Sequence, residues 1–348
     1  MKQDFFKSRA DISMLRISAT LAVLFWHTVC YITNRPDLHH LTQTQSICYH
    51  TLYHLMTWAI PVFFMISGAL LLHADRKITY QICLKKYVKR FLLALILFGF
   101  IFACIELAAT EKQFSLKTAG VGVYYVIVGK TWGHLWYLYV LNGIYLLLPL
   151  WKIFTGHCTR RELRYILIVL FVVNICFPVV QFMLDEPVRF ETPIKSVHVF
   201  YFLLGKYLDD KTPDFLQNRK KNVSILLAVI ALKALLTIFS MRYSIGIDTG
   251  RNSITTAAMA VLIFCSIKGC KAPINHAVLW NVDRLCFGVY LIHPLFIHFL
   301  YQYLRFTPLS FGGGWAVSLI GFWIFFAIAS FGASWVMSLI KPLKKYIL

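Results

Sequence analysis

Apolar residues fill this chain in long blocks separated by short polar breaks. Ten blocks stand out, near 12–33, 50–73, 87–110, 133–154, 164–184, 195–208, 222–242, 253–268, 284–304 and 314–339. A hydrocarbon core of about 30 Å takes roughly 20 residues of helix at about 1.5 Å each, so most of these runs predict spanning helices. The sixth and eighth are the shortest. The expected fold is all-α, a polytopic membrane helix bundle with about ten transmembrane helices. The breaks around 34–49, 74–86, 111–132 and 268–283 are too short to fold as soluble domains. Residues 1–348 therefore read as one integral membrane domain, and any chemistry takes place inside the bundle. The stretch 114–130 is apolar but broken by glycines, and reads as a re-entrant or interfacial element.

Composition agrees: 59% of residues are hydrophobic, 14% are charged, and the mean hydropathy is +0.66. The net charge of +20 raises the question of nucleic acid, and the placement of the cations answers it. They concentrate in alternate breaks, as Lys85, Lys86, Lys89 and Arg90; Arg160, Arg161 and Arg164; Arg219, Lys220 and Lys221; and Lys341, Lys344 and Lys345. Such alternation follows a membrane, with N- and C-termini both cytoplasmic and no nucleic-acid partner. The first apolar run is long enough to span and has no small-x-small site after it, so it is expected to remain as an anchor. Nine cysteines without a Cys-x-x-Cys pair give neither a disulfide framework nor a metal-site spacing. Cys30 and Cys48 would both lie near the outer face, where pairing is one possibility. Walker, Gly-x-Gly-x-x-Gly, His-Glu-x-x-His and Gly-x-Ser-x-Gly motifs do not occur, which weakens ATP-driven, zinc-protease and serine-hydrolase readings.

Ionisable residues inside the apolar runs carry the candidate chemistry, because burying them is costly and they are usually kept for function. Arg16 and His27 share the first run, ISMLRISATLAVLFWHTVCYI. Eleven residues separate them by roughly 16 Å along a helix and return to within roughly 20° of the same face. In the ninth run, GVYLIHPLFIHF, Pro294 removes the helical bond to the carbonyl of Tyr290 and leaves an acceptor beside His293. His293 fits either a role at the reacting groups or a structural one. In the second run, Pro61 frees a carbonyl, and Ser67 with Gly68 lets another backbone come close. His134, Trp136 and Tyr137 fit two pictures, an aromatic belt at the membrane interface or a rim on which sugars stack. Lys85, Lys86, Lys89 and Arg90 fit both positive-inside topology and a phosphate-binding cluster. Glu106 and Lys233 also lie in apolar runs, with no role apparent from the sequence.

Taken in order, Arg16-x10-His27, PVFFMISG at 61–68, HLWYLYVL at 134–141 and FGVYLIHPL at 287–295 resemble the integral membrane acyltransferase-3 family, which includes bacterial sugar O-acetyltransferases. The resemblance implies a multi-pass protein of the bacterial inner (plasma) membrane. It would take an acyl group, acetyl by the resemblance, from cytoplasmic acyl-CoA and pass it to a hydroxyl of an envelope sugar or lipid-linked precursor. It also implies that His27 is the main catalytic residue and that Arg16 is required, with no metal. His27 would act as general base, or alternatively through a covalent acyl intermediate. Tyr290 and His293 are the expected supporting residues or oxyanion donors. Lys86, Lys89 and Arg90, with Ser67, are the expected contacts of the acetyl-CoA donor. Two departures stand out: family members commonly carry Asp three residues before the Arg, where this chain has Ser13, and a pair of arginines where it has Lys86 and Lys89. Lys is a point-charge donor and not a bidentate fork, so the donor contact differs in detail. A competing reading is a transporter or exporter of a glycan or small molecule, with the same polar residues lining its path.

Overall fold

The computed structural model describes residues 9–35, 40–111, 116–186, 190, 194–247, 250–271 and 275–348. Among them all regular structure is helical. The first helices are α1 (Ala10–Thr33), α2 (Gln43–Leu55), α3 (Ala59–Leu71), α4 (Lys89–Glu111) and α5 (Leu116–Val128). They are followed by α6 (Trp136–Leu146), α7 (Leu148–His157), α8 (Arg160–Phe171), α9 (Phe177–Leu184) and α10 (Val197–Asp210). The chain ends with α11 (Arg219–Tyr243), α12 (Ile254–Ile267), α13 (His276–His298), α14 (Trp315–Leu339) and α15 (Lys341–Tyr346). Polar residues in the breaks start several of them: Thr42 and Thr159 form reciprocal caps with Gln45 and Glu162, and the Ser253 hydroxyl accepts from the Thr256 N–H.

Each of the ten apolar runs is helical, but not each is a span. Seven helical stretches are long and apolar enough to cross a membrane. An eighth passes only as a pair, Lys117–Leu146 with Leu148–His157, bent by 55°. By length and composition the described residues thus account for seven or eight spans, against about ten expected. The sixth and eighth runs form α10 and α12, each 14 residues, or about 21 Å of helix. Residues Val199 to Leu208 of α10 are buried throughout. A helix enclosed by other helices has no need of the full hydrocarbon thickness, and runs of this length are commonly buried core. The Gly-broken stretch becomes α5, packed along α4.

Close packing of α10 on α3 depends on two glycines. A Cβ on Gly68 would sit 1.7 Å from the carbonyl oxygen of Phe202, and one on Gly205 would sit 2.0 Å from that of Met65. Each glycine receives the other helix's backbone, as small residues do between membrane helices. Helix α1 packs on α3 and α13, and α13 packs on α14. Pro61 lies in the first turn of α3, where its missing N–H costs little, and marks the break that separates α2 from α3.

One end of the bundle gathers a polar network. Arg9 pairs with Asp11 and Asp209, both at 2.8 Å. Lys268 donates to the carbonyls of Leu208 and Asp209, both at 2.7 Å. Arg90, at the start of α4, donates to the carbonyl of Ile347 at 2.6 Å and to that of Leu348. The beginning of α1 and the residues after α15 therefore lie at the same end of the molecule. All nine cysteines are unpaired, so Cys30 and Cys48 do not form the bridge their positions allowed.

Candidate active site

A cavity of about 370 Å³ runs between α1, α3, α4, α6 and α13. Arg16, Arg76, Arg90, Asp283 and Arg284 line its walls toward the end of the polar network, and His27, His134, Trp26 and Trp136 line them at the other. Phe63, Ile66, Phe91, Leu141 and Phe287 form the apolar wall between. The sequence placed Arg16 and His27 on one stripe of α1, and both face this space.

Arg16 is held from α13. Its Nη1 donates to both carboxylate oxygens of Asp283 at 2.6 Å, and the Ser13 hydroxyl donates to the same carboxylate at 2.9 Å. Side-chain exposure is 28% for Arg16 and 3% for Asp283. A carboxylate this deep is expected to be paired. Ser13 stands where the resembling family carries Asp, and here the negative charge is supplied across the helix interface. The nearby acid on α1, Asp11, is taken up by Arg9.

Three imidazoles meet at the other end. The ring centroid of His27 is 4.9 Å from that of His293 and 6.4 Å from that of His134, and the latter two are 5.6 Å apart. Pro294 explains how His293 is set. Its Nδ1 lies 2.9 Å from the carbonyl of Tyr290, the one the proline leaves without a helical donor, and 3.1 Å from that of Val289. Facing two carbonyls, Nδ1 must carry the proton, which leaves Nε2 as a lone-pair acceptor. That Nε2 is buried with no hydrogen-bond partner, as is Nε2 of His134. Two such atoms side by side leave acceptor or donor capacity in the cavity that the surrounding protein does not use among the described residues. Tyr290 donates its hydroxyl proton to the carbonyl of His134 at 2.8 Å. This bond ties Tyr290 to the backbone of His134, in keeping with the first of the two roles expected of it, support of the site.

Other expected residues divide. Ser67 lines the cavity, where its hydroxyl accepts from Tyr145 at 3.2 Å. Arg90 also lines it, whereas Lys86 and Lys89 are exposed, lie outside the lining, and rest beside Tyr87 and Tyr346. The local π-turn Cys83–Val88 puts Arg90 and the two lysines on different sides of the helix. His134, Trp136 and Tyr137 face the cavity, which removes the lipid-facing belt as their explanation. Asp283, Arg284 and Arg76 escaped notice as site residues. The first two fall at the edge of the ninth apolar run, where a hydropathy reading stops, yet α13 begins seven residues earlier at His276. Glu106 accepts from the indole of Trp132 at 3.2 Å, and Trp132 stacks on His298. Among the described residues no three His, Cys, Asp or Glu side chains converge as metal ligands.

No curated protein and no solved structure matches the chain. The sequence model of one family, described as an acyltransferase domain, matches residues 9–339, nearly the whole chain. The chain belongs to the acyltransferase-3 family and is a multi-pass membrane acyltransferase.

Proposed function

We propose that this protein transfers an acyl group, acetyl by family resemblance, from acyl-CoA to a hydroxyl of a cell-envelope sugar or polysaccharide precursor. His27 acts as the general base. The observation that carries this reading is the single cavity with arginines at one end and three clustered histidines at the other. Arg90, Arg76 and Arg284 suit the phosphates of CoA, for which guanidinium forks are well matched. The long pantetheine arm then passes between apolar walls toward His27. The cation distribution supports a cytoplasmic location for the arginine end.

His27 takes the proton of the sugar hydroxyl as its oxygen attacks the thioester carbonyl. The resulting imidazolium is stabilised by the Nε2 lone pair of His293, whose other nitrogen is tied to the Tyr290 carbonyl. His134, whose ring donates to the backbone of Leu291, adds the lone pair of its unpartnered Nε2 to the same cluster. Collapse of the tetrahedral intermediate expels the CoA thiolate, which takes the proton back from His27. Arg16, held by Asp283, keeps the donor arm in register with this cluster.

Membranes carrying the wild-type protein should incorporate label from acetyl-CoA into envelope glycan, and a folded His27→Ala variant should not. Equal incorporation by both would remove His27 from the mechanism. Absence of label with wild type, acceptor being present, would turn attention to transport.

A further inference from the structure

Beyond the His27 end of the cavity lies a cation that the acyl-transfer reading does not use. Arg251 belongs to the turn between α11 and α12, and its guanidinium stands 5.1 Å from the ring centroid of Trp136 and 5.8 Å from that of Trp26. Both tryptophans line the cavity beside His27. Among the described residues Arg251 forms no ion pair; its neighbours are these rings, Tyr53 and the imidazoles of His27 and His198. Trp26 is 8% exposed, and its indole N–H, though buried, has no acceptor. Beside the His27 end of the cavity there are thus a guanidinium, bonded to the Tyr53 hydroxyl but facing no carboxylate among the described residues, and an indole N–H without an acceptor among them.

The turn is also held with unusual care. Lys233 of α11 is 0% exposed. Its ammonium donates to the hydroxyl of Thr57 at 2.9 Å and to that of Thr256. Thr256 in turn donates to the carbonyl of Gly250 at 2.9 Å, and so does Ser253 at the same distance. Lys233 of α11, Thr256 of α12, its N-cap Ser253 and Thr57 from the turn before α3 thus fix the backbone beside Arg251. A buried ammonium is an expensive way to brace a turn, and the residue it fixes is the cation over the two tryptophans that line the cavity beside His27.

Resting on the acyl-transfer reading, we propose that the acceptor is an anionic sugar, whose carboxylate or phosphate is held by Arg251 and the Trp26 N–H while its ring stacks on Trp136 beside His27. Aromatic faces accommodate the apolar side of a sugar, and a guanidinium matches a carboxylate or phosphate in two-pronged geometry. The anion at Arg251 leaves a ring hydroxyl to face the histidine cluster. A neutral sugar would leave the guanidinium without a counter-charge and the indole N–H without an acceptor, and is discriminated against for that reason.

The test is equilibrium binding without acyl-CoA, so that it stands apart from turnover. The full chain in phosphatidylcholine nanodiscs is titrated with methyl glucuronoside, glucose 1-phosphate and methyl glucoside, and followed by saturation-transfer NMR. At least one anionic probe should bind about tenfold more tightly than the glucoside; the stronger of the two names the carboxylate or the phosphate as the natural group. Arg251→Gln should erase the preference and Arg251→Lys should keep part of it. Equal binding of the glucoside, survival of the preference in Arg251→Gln, or binding of none of the three would overturn the proposal. Anion binding of the expected kind, with no acetyl transfer to any acceptor, would instead sink the acyl-transfer reading and leave this anion site standing.

Discussion

The carboxylate opposite Arg16 can be moved from one helix to the other. Asp283 is almost fully buried and pairs with an arginine that is about one-quarter exposed. Removing one partner of a buried pair costs about 3–5 kcal/mol, and the partial exposure of Arg16 lowers this to about 2–3 kcal/mol. If that loss falls on placing the acyl donor, Asp283→Ser lowers kcat/KM by roughly 30- to 160-fold. Ser13 donates to the same carboxylate at 2.9 Å, so an aspartate at position 13 reaches the space that Asp283→Ser vacates. The double variant Ser13→Asp/Asp283→Ser restores the pair and should recover most of the activity. Ser13→Asp alone crowds two carboxylates against one guanidinium and should be weaker than wild type. The assay is transfer from labelled acetyl-CoA by each member of the cycle, with thermal unfolding measured alongside. Wild-type transfer by Asp283→Ser, or no recovery in the double variant, would refute the view that this carboxylate serves to hold Arg16.

Further outcomes follow from the same geometry. His293→Ala should lower kcat by about 10²-fold while leaving the KM for acetyl-CoA near that of wild type, and steady-state kinetics at varied donor would show a KM defect instead if His293 served donor binding. Arg90→Ala should raise the KM for acetyl-CoA about tenfold, whereas Lys86→Ala, exposed and away from the cavity, should change it less than about twofold; the reverse ranking would place the donor elsewhere. Gly68→Ala forces a Cβ to within 1.7 Å of the Phe202 carbonyl, beyond ordinary overpacking at about 1–3 kcal/mol, so unfolding in detergent should occur at a clearly lower temperature or no folded protein should be recovered. Lys233→Met replaces a buried charge by a side chain of similar length. Its melting should change little, but the preference for glucuronoside or sugar phosphate over glucoside should shrink, and an unchanged preference would detach Lys233 from Arg251.

The periodicity of α1 made one part of the site legible, since eleven residues bring Arg16 and His27 to one face whatever surrounds them. Pro294 made another legible, because a missing N–H leaves the Tyr290 carbonyl free and His293 is the adjacent donor. What stayed hidden depends on contacts between helices. Asp283 looked like the flank of an apolar run, and only the packing of α13 on α1 turns it toward Arg16. Lys233 had no visible partner because the hydroxyls it meets lie 176 and 23 residues away. Lys86 and Lys89 fit a family pattern by position, while the turn before α4 leaves only Arg90 of that cluster on the cavity. The belt reading of His134, Trp136 and Tyr137 failed for a similar reason, since aromatic residues near a helix end look alike whether they face lipid or an internal space. Hydropathy likewise does not separate a short enclosed helix such as α10 from a spanning one.

The distribution of charge along the cavity explains why the groups are arranged in this order. A guanidinium stays charged in any protein site, so Arg16 needs the carboxylate it receives from Asp283. An imidazole can be buried uncharged, and three can therefore be brought together where no carboxylate among the described residues compensates them. In the proposed reaction, proton transfer creates one positive charge in that cluster, and the lone pair on His293 gives it a place to be shared. A carboxylate at the same point would hold that charge before substrate arrives and take away the base. On this proposal the absence of an acid beside His27 among the described residues and its presence beside Arg16 have one cause: the first site must change its charge during turnover and the second must not. Arg251, beyond the histidines, completes the order, because an anion it binds from the acceptor brings negative charge near His27 only when a substrate is in place.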